Sequence, residues 1–543
     1  MFSDPVVGEE FFGRRDLIEL LAKRATALKN GYRQNVAIIG HRELGKTSAL
    51  RQFLHSFRDP DLTMIYVEIK FQSLDLFVDQ FIRSLLFEVV SRVAPADPLG
   101  SMEGLIASAE AVTPRTAERC REIKALLKSR KFEEAYTKLF ELTSVLKSET
   151  GRCSVVVLDE FHRLGEFGVK NAFSDFGKRI MIQKDTMYVL ASSSFTASRK
   201  ILAEKLALLF GNFERIYLEP FDFNTSFEFI EKKVAPVAVP KESLAFLVSF
   251  TDGHPFFLDT VTRQLRELAL ARGEAVLTRS TIAESLCRLL FESQGVLNQY
   301  MMKLISPWSG PSAKGAHLMI LTELASDTNK LKELSRAVNR SQREVSREIS
   351  DLMEHELIVK TGVFFRFHNR VFKFWLREVY RRRELSLLGL DAKNRDFCAR
   401  VEELMNEFDE LQRMDITERV NRLFSHFRND RIELGDKTRV LPHFTELTGE
   451  TRSLVARSNG RCWICKITED QATEEEVLRL VSGVSDPRSG TLTRVLVALG
   501  GMDDNAKLLA KEKKVLTLGL SKVNLLMDIY GKPPLVFPPR PSQ

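Results

Sequence analysis

Two rhythms of apolar and polar positions run along this chain. Short unbroken apolar runs at Val36–Ile39, LTMIYVEIK (62–70), RCSVVVLDEF (152–161), TMYVLASSS (186–194) and RIYLEPF (215–221) predict strands buried on both faces, as in a parallel sheet. Between Pro98 and Gly151, apolar residues recur at helical spacing in TAERCREIKALLKSRKFEEAYTKLFELTSVL and predict a helical hairpin on the sheet's edge. Residues 224–305 are nearly all helical by period, with Thr225-x-x-Glu228 as the capping box of the first helix. Beyond the turn-rich SPWSGPSAKG (306–315), HLMILTELAS, KLKELSRAVN and SQREVSREISDLMEHELI predict three helices. The third opens with the box Ser341-x-x-Glu344 and buries Val345, Ile349, Leu352 and Met353; ELIVKTGVFFRFHN then alternates as a two-stranded wing. A charged helical connector follows, then strands in RIELGDKTRVL, TRSLVARS and RCWICKI, and a closing helix, strand and helix. The expected fold class is α/β, in five segments: 1–223, 224–305, 314–383, 384–431 and 432–543.

Totals narrow the picture only slightly. The 543 residues suffice for several cores, and 44% hydrophobic with 28% charged residues is an ordinary globular balance. A net charge of +7 permits an acidic partner such as nucleic acid without demanding one. The opening MFSDPVVGEEFFGRRDL lacks the layout of a signal peptide, and no apolar run reaches membrane-spanning length. Cys120, Cys153, Cys287 and Cys398 lie far apart and suggest no disulfide framework, so a reduced cytoplasmic protein without membrane attachment is expected.

The chemistry concentrates where the first strand ends. Gly40, His41, Arg42, Glu43, Leu44, Gly45, Lys46, Thr47 and Ser48 form a Gly-x-x-x-x-Gly-Lys-Thr loop between a strand and a helix. Its backbone N–H groups and the helix N-terminus suit phosphates, Lys46 suits the β- and γ-phosphates, and Thr47 suits Mg²⁺. Asp159 and Glu160 end the β-branched run at 152–161, the strand end where parallel sheets bind ligands. Asp159 fits the Mg²⁺ partner and Glu160 the base that polarises water. Together they predict a P-loop NTPase sheet with ATP and Mg²⁺ as cofactors.

Further pieces resemble one family. FFGRRDLIELL (11–21), the strand order with an acidic strand set apart from the phosphate-loop strand, GHP (253–255) and LLFGNFERIYLEPFDFNTSFEFI (208–230) resemble archaeal-type P-loop ATPases of the AAA+ and STAND branch, related to origin-recognition ATPases. That resemblance implies adenine-side contacts from Phe12, Gly13 and Arg14, with Arg15 where the family carries an acid. It implies a lid contact from His254 and Pro255, and a helical lid. Ser192, Ser193 and Ser194 end the fourth strand where the family keeps a polar residue that senses the γ-phosphate, and Ser193 is either that residue or a turn serine. Arg215 is either a trans-acting finger or a strand-end arginine, with Arg163 and Arg179 as other finger candidates. A winged helix-turn-helix at 314–383 is what the family carries there.

Nucleic acid contacts have two candidate sources. Arg340, Arg343 and Arg347 recur on the third helix of that module, crowded by Glu344, Glu348 and Asp351. In NRVFKFWLREVYRRR, Arg370, Lys373, Arg377 and Arg381 fall on one helix face, as phosphate contacts require. The last segment resembles the PD-(D/E)XK nuclease fold. Lys466 stands at the family's lysine, but Ile464 replaces its Glu, and Arg452 and Ser453 stand where an aspartate is expected, with Glu450 a distant substitute. This implies a nuclease-like fold without nuclease activity. Cys462 and Cys465 lie three apart in a strand and so point to opposite faces, which disfavours zinc or a bridge between them.

The expected function is an ATP-binding and hydrolysing conformational switch acting on or near DNA, in defence, mobile-element control or a replication-like role. A STAND-type signalling scaffold that oligomerises with ATP, and an ATP-governed nuclease, are the alternatives. Expected partners are ATP, DNA, and a protein partner or a second copy engaged through the ATPase segment.

Overall fold

Apolar, largely β-branched runs pair side by side in the first part of the chain because residues such as the seven of CSVVVLD are buried on both sides. The strands are β1 (Asn35–Ile39), β2 (Leu62–Glu68), β3 (Cys153–Asp159), β4 (Thr186–Ser192) and β5 (Phe213–Tyr217), all parallel, in the order β2-β3-β4-β1-β5. The computed structural model describes residues 4–70, 73–93, 100–206, 213–309, 315–381, 390–435, 437–458, 460–482 and 491–537. Residues 207–212, which include the start of the LLFGNF segment, and linker residues 310–314 lie outside the described residues. The chain divides into two compact units: residues up to Pro220 with His254–Phe256, and Phe221–Gly253 with the chain from Phe257 onward. Among the described residues no helix is long and apolar enough to cross a membrane.

In the first unit, α1 (Arg15–Lys29) and α2 (Lys46–Ser56) cover one sheet face, where Leu21, Leu50 and Phe53 meet Val36, Val155 and Val189. The other face carries α3 (Leu74–Val90), α4 (Met102–Glu110), α5 (Pro114–Lys128), α6 (Phe132–Thr150) and α7 (Ala172–Ile182) in one apolar cluster. Phe140 of α6 meets Phe81 of α3 at 5.8 Å and Phe176 of α7 at 4.8 Å. The segment between Pro98 and Gly151 is therefore three helices on a sheet face, not a hairpin at the edge. Its apolar stripes are wide enough to be buried against α3 as well as against each other. This sheet, with its phosphate loop between β1 and α2, is the P-loop ATPase fold.

The second unit opens with helices α8 (Phe223–Val234), α9 (Lys241–Thr251), α10 (Pro255–Ala271, whose first residues belong to the first unit), α11 (Arg279–Leu286) and α12 (Val296–Ile305). Asp222, not Thr225, caps α8: its carboxylate accepts the Thr225 N–H at 2.8 Å, so the helix begins earlier than the Thr225-x-x-Glu228 pattern suggested. Helices α13 (His317–Ala325), α14 (Leu331–Ala337) and α15 (Gln342–Glu354) precede an antiparallel ribbon, β6 (Ile358–Thr361) and β7 (Phe364–Phe367). The Ser341 capping box is closed in both directions. Val345, Ile349 and Leu352 are buried, Met353 only partly, and the fourth buried position is Glu348.

Beyond α16 (Arg370–Trp375), the long α17 (Leu390–Arg413) and α18 (Ile416–Ser425) lead to a hairpin, β8 (Asp430–Leu434) with β9 (Lys437–Leu441). A mixed sheet follows: β10 (Glu446–Glu450), β11 (Ser453–Ser458), β12 (Arg461–Thr468), β13 (Thr491–Ala498) and β14 (Leu516–Gly519), in chain order. The first pairings are antiparallel and the last two parallel. Trp463, Cys465 and Ile467 face a core shared with α18, while Ile464 packs toward Ala472, Val477 and Leu480. Cys462 and Cys465 thus sit in a strand on opposite faces, and all six cysteines are free thiols. The ribbon is not free either. Val363 N–H donates to Arg431 O at 2.9 Å, and Phe364 joins the apolar core of the C-terminal sheet.

Candidate functional site

The phosphate loop is shaped by two glycines. Gly40 lies so close to β5 that a Cβ there would stand 2.8 Å from Leu218 O. Gly45 adopts φ +84 at the entry to α2, a conformation that side chains rarely take. Lys46 is buried, and its ammonium donates to Gly40 O at 2.8 Å and His41 O at 2.6 Å, which holds it inside the loop. Arg42 is exposed, Leu44 is buried, and His41 lies 6.1 Å from Phe195, ring to ring. Burial pushes the Glu43 carboxyl above its ordinary value. The Ser48 hydroxyl accepts the Val6 N–H at 3.2 Å, tying the N-terminal segment to α2.

Opposite the loop, β3 delivers its two acids. The Thr47 hydroxyl donates to Asp159 Oδ2 at 2.6 Å. Asp159 is fully buried; burial, then the neighbouring Glu160 charge, raise its pKa to about 6. A buried carboxylate beside a hydroxyl, with few other donors, suits Mg²⁺, which keeps waters and phosphate oxygens as its remaining ligands. Glu160 turns out of the strand in a left-handed conformation, φ 57. Such strain in a non-glycine residue collects at functional sites. Its Oε2 accepts Ser193 N–H at 2.9 Å and the Ser193 hydroxyl at 2.8 Å.

Two partners escaped the sequence reading. His162 Nδ1 lies 3.3 Å from Glu160 Oε2 and shares a 2.8 Å hydrogen bond with Ser192 Oγ. Tyr66 Oη stands 3.4 Å from Asp159 Oδ2, and burial raises its pKa. The position of His162, two residues past the acid pair, was the available signal. Its meeting with Ser192, 30 residues on, depends on the parallel pairing of β3 with β4.

The remaining site residues fall on both sides of expectation. His254 belongs to the same unit as the loop and is hydrogen-bonded to the Arg42 backbone; desolvation lowers its pKa to about 3. Pro255 begins α10, where a missing N–H is harmless. Phe12 and Gly13 are half-buried ahead of α1, and the Arg14 guanidinium donates to Glu219 O. Arg215 does not precede the fifth strand. It is exposed within β5, in register with Ala37, at the edge of the sheet. Arg163 lies 3.7 Å from Glu166, and Arg179 pairs with Glu141 at 2.6 Å.

The two basic surfaces exchange their expected characters. Arg370 lies 3.6 Å from Asp252, Lys373 pairs with Asp327 at 2.7 Å, Arg377 with Glu378 at 3.0 Å, and Arg381 donates to Ser326 Oγ at 2.9 Å. What reads in sequence as a solvent-facing stripe is thus largely a set of internal ion pairs. On α15 the acids are occupied instead. Glu344 closes the capping box, Glu348 accepts Ala316 N–H at 3.0 Å, and Asp351 accepts Trp308 Nε1–H at 3.2 Å and meets His317 at 2.9 Å. Arg340, Arg343 and Arg347 remain exposed. In the C-terminal sheet, Val455 stands opposite Ile464 and Ser453 opposite Lys466. The position facing Ile464 is therefore Val455, rather than Arg452 or Ser453, and both of these facing residues are apolar.

Comparison with known proteins agrees with the first unit. Residues 10–173 match the family model described as an AAA ATPase domain. No curated protein matches the chain. Among solved structures, the chain is similar to the Walker-type ATPase PABY2304 of Pyrococcus abyssi, at 16% identity over 69% of this chain and 99% of that one, with a TM-score of 0.47. It is also similar to the ORC2 protein of Aeropyrum pernix in ADPNP–ADP complexes, at 13% identity over 75% and 98%, TM-score 0.44. The ORC1 protein of Aeropyrum pernix in complex with DNA gives 14% identity over 69% and 94%, TM-score 0.38.

Proposed function

We propose that this chain is an ATP-binding and hydrolysing switch that acts on or near DNA. The observation that carries the reading is the meeting of Thr47 with Asp159 at 2.6 Å, at the strand end that also presents Glu160. Lys46 and the loop N–H groups hold the phosphates, with Phe12, Gly13 and Arg14 toward the base and His254 and Pro255 toward the loop. Thr47 and Asp159 hold Mg²⁺, which neutralises charge on the phosphate oxygens when bound. Glu160 accepts a proton from the attacking water. Before that it is held by Ser193, so productive binding has to exchange the Ser193 contacts for water. Arg215, on an exposed edge strand, is the residue through which a second copy would reach a neighbouring site.

Nucleic acid contact is assigned to Arg343 and Arg347, with Arg340 beside them, because the acids of their helix are already satisfied. The three helices and ribbon at 317–367 support the winged-helix reading, although the ribbon is docked and leaves the helix to supply contacts. The strand sequence at 446–519 supports a nuclease-like fold, and Val455 with Ile464 supports the absence of a metal-binding pair. A second reading, an ATP-driven protein scaffold, is favoured by the internal pairing of Arg370, Lys373 and Arg377. The test is turnover and binding together. Lys46→Ala is expected to abolish ATP binding, and Glu160→Gln to keep binding while losing about a hundredfold or more in hydrolysis. Wild-type turnover in the Gln variant would remove Glu160 from this role. ATP-dependent oligomers without any DNA affinity would select the scaffold.

A further inference from the structure

Five of the six cysteines are buried, and Cys398 alone is partly exposed. Cys398 lies on α17, and Cys287 begins the helical turn Cys287–Phe291 that continues α11. The Cys287 thiol faces α17. Its Sγ lies 3.9 Å from Asn394 O, one helical turn before Cys398 on the same face. One turn further along each element, the rings of Phe291 and Phe397 stack at 5.0 Å. Arg279 of α11 also pairs with Asp409 of α17, so the two helices are clamped on both sides of the thiols. Asn394 and Cys398 share one face of α17, so the Cys287 sulfur lies against the face that carries Cys398.

We propose that Cys287 and Cys398 are a peroxide-responsive thiol pair that closes to a disulfide and staples the helical segment at 279–291 to α17. The neighbouring Cys287 thiol holds the Cys398 thiol below its ordinary value, against the opposing effects of burial and of Glu284, Glu402 and Glu292. The more acidic and more exposed sulfur is therefore the attacking one. Cys398 thiolate attacks a hydroperoxide: an S–O bond forms, the O–O bond breaks, and water leaves after proton transfer. The Cys287 sulfur then attacks that sulfenic acid; an S–S bond forms, the S–O bond breaks, and a second water leaves. Two thiols and one hydrogen peroxide give one disulfide and two waters. The other four thiols lack this arrangement. Burial pushes Cys120 up to about 12 and Cys465 higher still, and the Cys462–Cys465 pair points to opposite faces of β12.

Peptide mapping of the full chain tests the pair directly. After hydrogen peroxide and alkylation without reductant, a Cys287–Cys398 linked peptide is expected with the other four cysteines alkylated, and dithiothreitol should restore six alkylated thiols. Cys287→Ser should leave a sulfenic acid on Cys398 that dimedone traps. Cys398→Ser should slow oxidation of the chain by about tenfold or more. Six alkylated cysteines after peroxide, or a linked peptide joining other cysteines, would overturn the proposal. Should either serine variant misfold by circular dichroism, the wild-type map decides the matter alone.

Discussion

Glu160 owes its position to backbone as much as to side chain: a left-handed turn at the end of β3 brings its carboxylate under Ser193. Lys46, Thr47, Asp159 and Glu160 were legible in the sequence because a phosphate loop and an acid-ended strand are local patterns. His162 and Tyr66 were not, since their contacts arise only when β2, β3 and β4 pair. His254 carries a prediction of the same kind. Its folded pKa of about 3 lies below the ordinary histidine value of about 6.5, so the unfolded chain takes up this proton first. Its contribution to stability is full above about pH 6.5 and is lost as the pH falls toward 3. Denaturant unfolding between pH 7 and pH 4 should show a smaller acid loss in His254→Gln than in the wild type. Equal losses would mean that His254 is solvated.

Elements differ in how far spacing alone reveals them. The parallel strands and the Ser341 box were plain, because each rests on neighbours in sequence. The α8 cap was placed late because Thr225-x-x-Glu228 fits the box pattern, whereas Asp222, followed three residues on by Thr225, caps through its carboxylate alone. The basic stripe that begins on α16 has partners that spacing does not reveal. Its counter-charges, Asp252 and Asp327, come from other elements of the fold. These differences separate two sets of variants. Arg343→Glu with Arg347→Glu should weaken duplex DNA binding and lower the salt slope by about 2, without moving the melting temperature. Lys373→Glu should instead reduce stability, by about 1 kcal/mol, as a like charge meets Asp327. DNA titrations at several salt concentrations, beside thermal melts, read both. An unchanged slope in the α15 variant would remove that helix from the interface.

At the scale of the molecule, two compact units predict two calorimetric transitions. ATP with Mg²⁺ at about a hundredfold excess over Kd should stabilise the unit holding Lys46 by about 2.7 kcal/mol, raising its transition. Lys46→Ala should show no such rise. A single transition moving as a whole would mean that the units melt together. The docking of the ribbon on the β8–β9 hairpin was not legible in the sequence, because Gly362 and Phe364 carry no sequence mark of their distant neighbours.

The burial of Asp159 makes this protein its own adversary. With its pKa raised from 3.8 to about 6, the carboxylate penalises the fold increasingly as pH rises through that window, by about 3 kcal/mol at neutral pH. Selection for heat resistance alone would favour Asp159→Asn, which keeps an acceptor for Thr47 and carries no charge. That variant should melt higher than the natural chain in chelator, and Mg²⁺ should narrow the gap by stabilising only the aspartate form. The acid is then a standing handicap that only its use can justify, and the cation would serve as much to complete the fold as to take part in its chemistry.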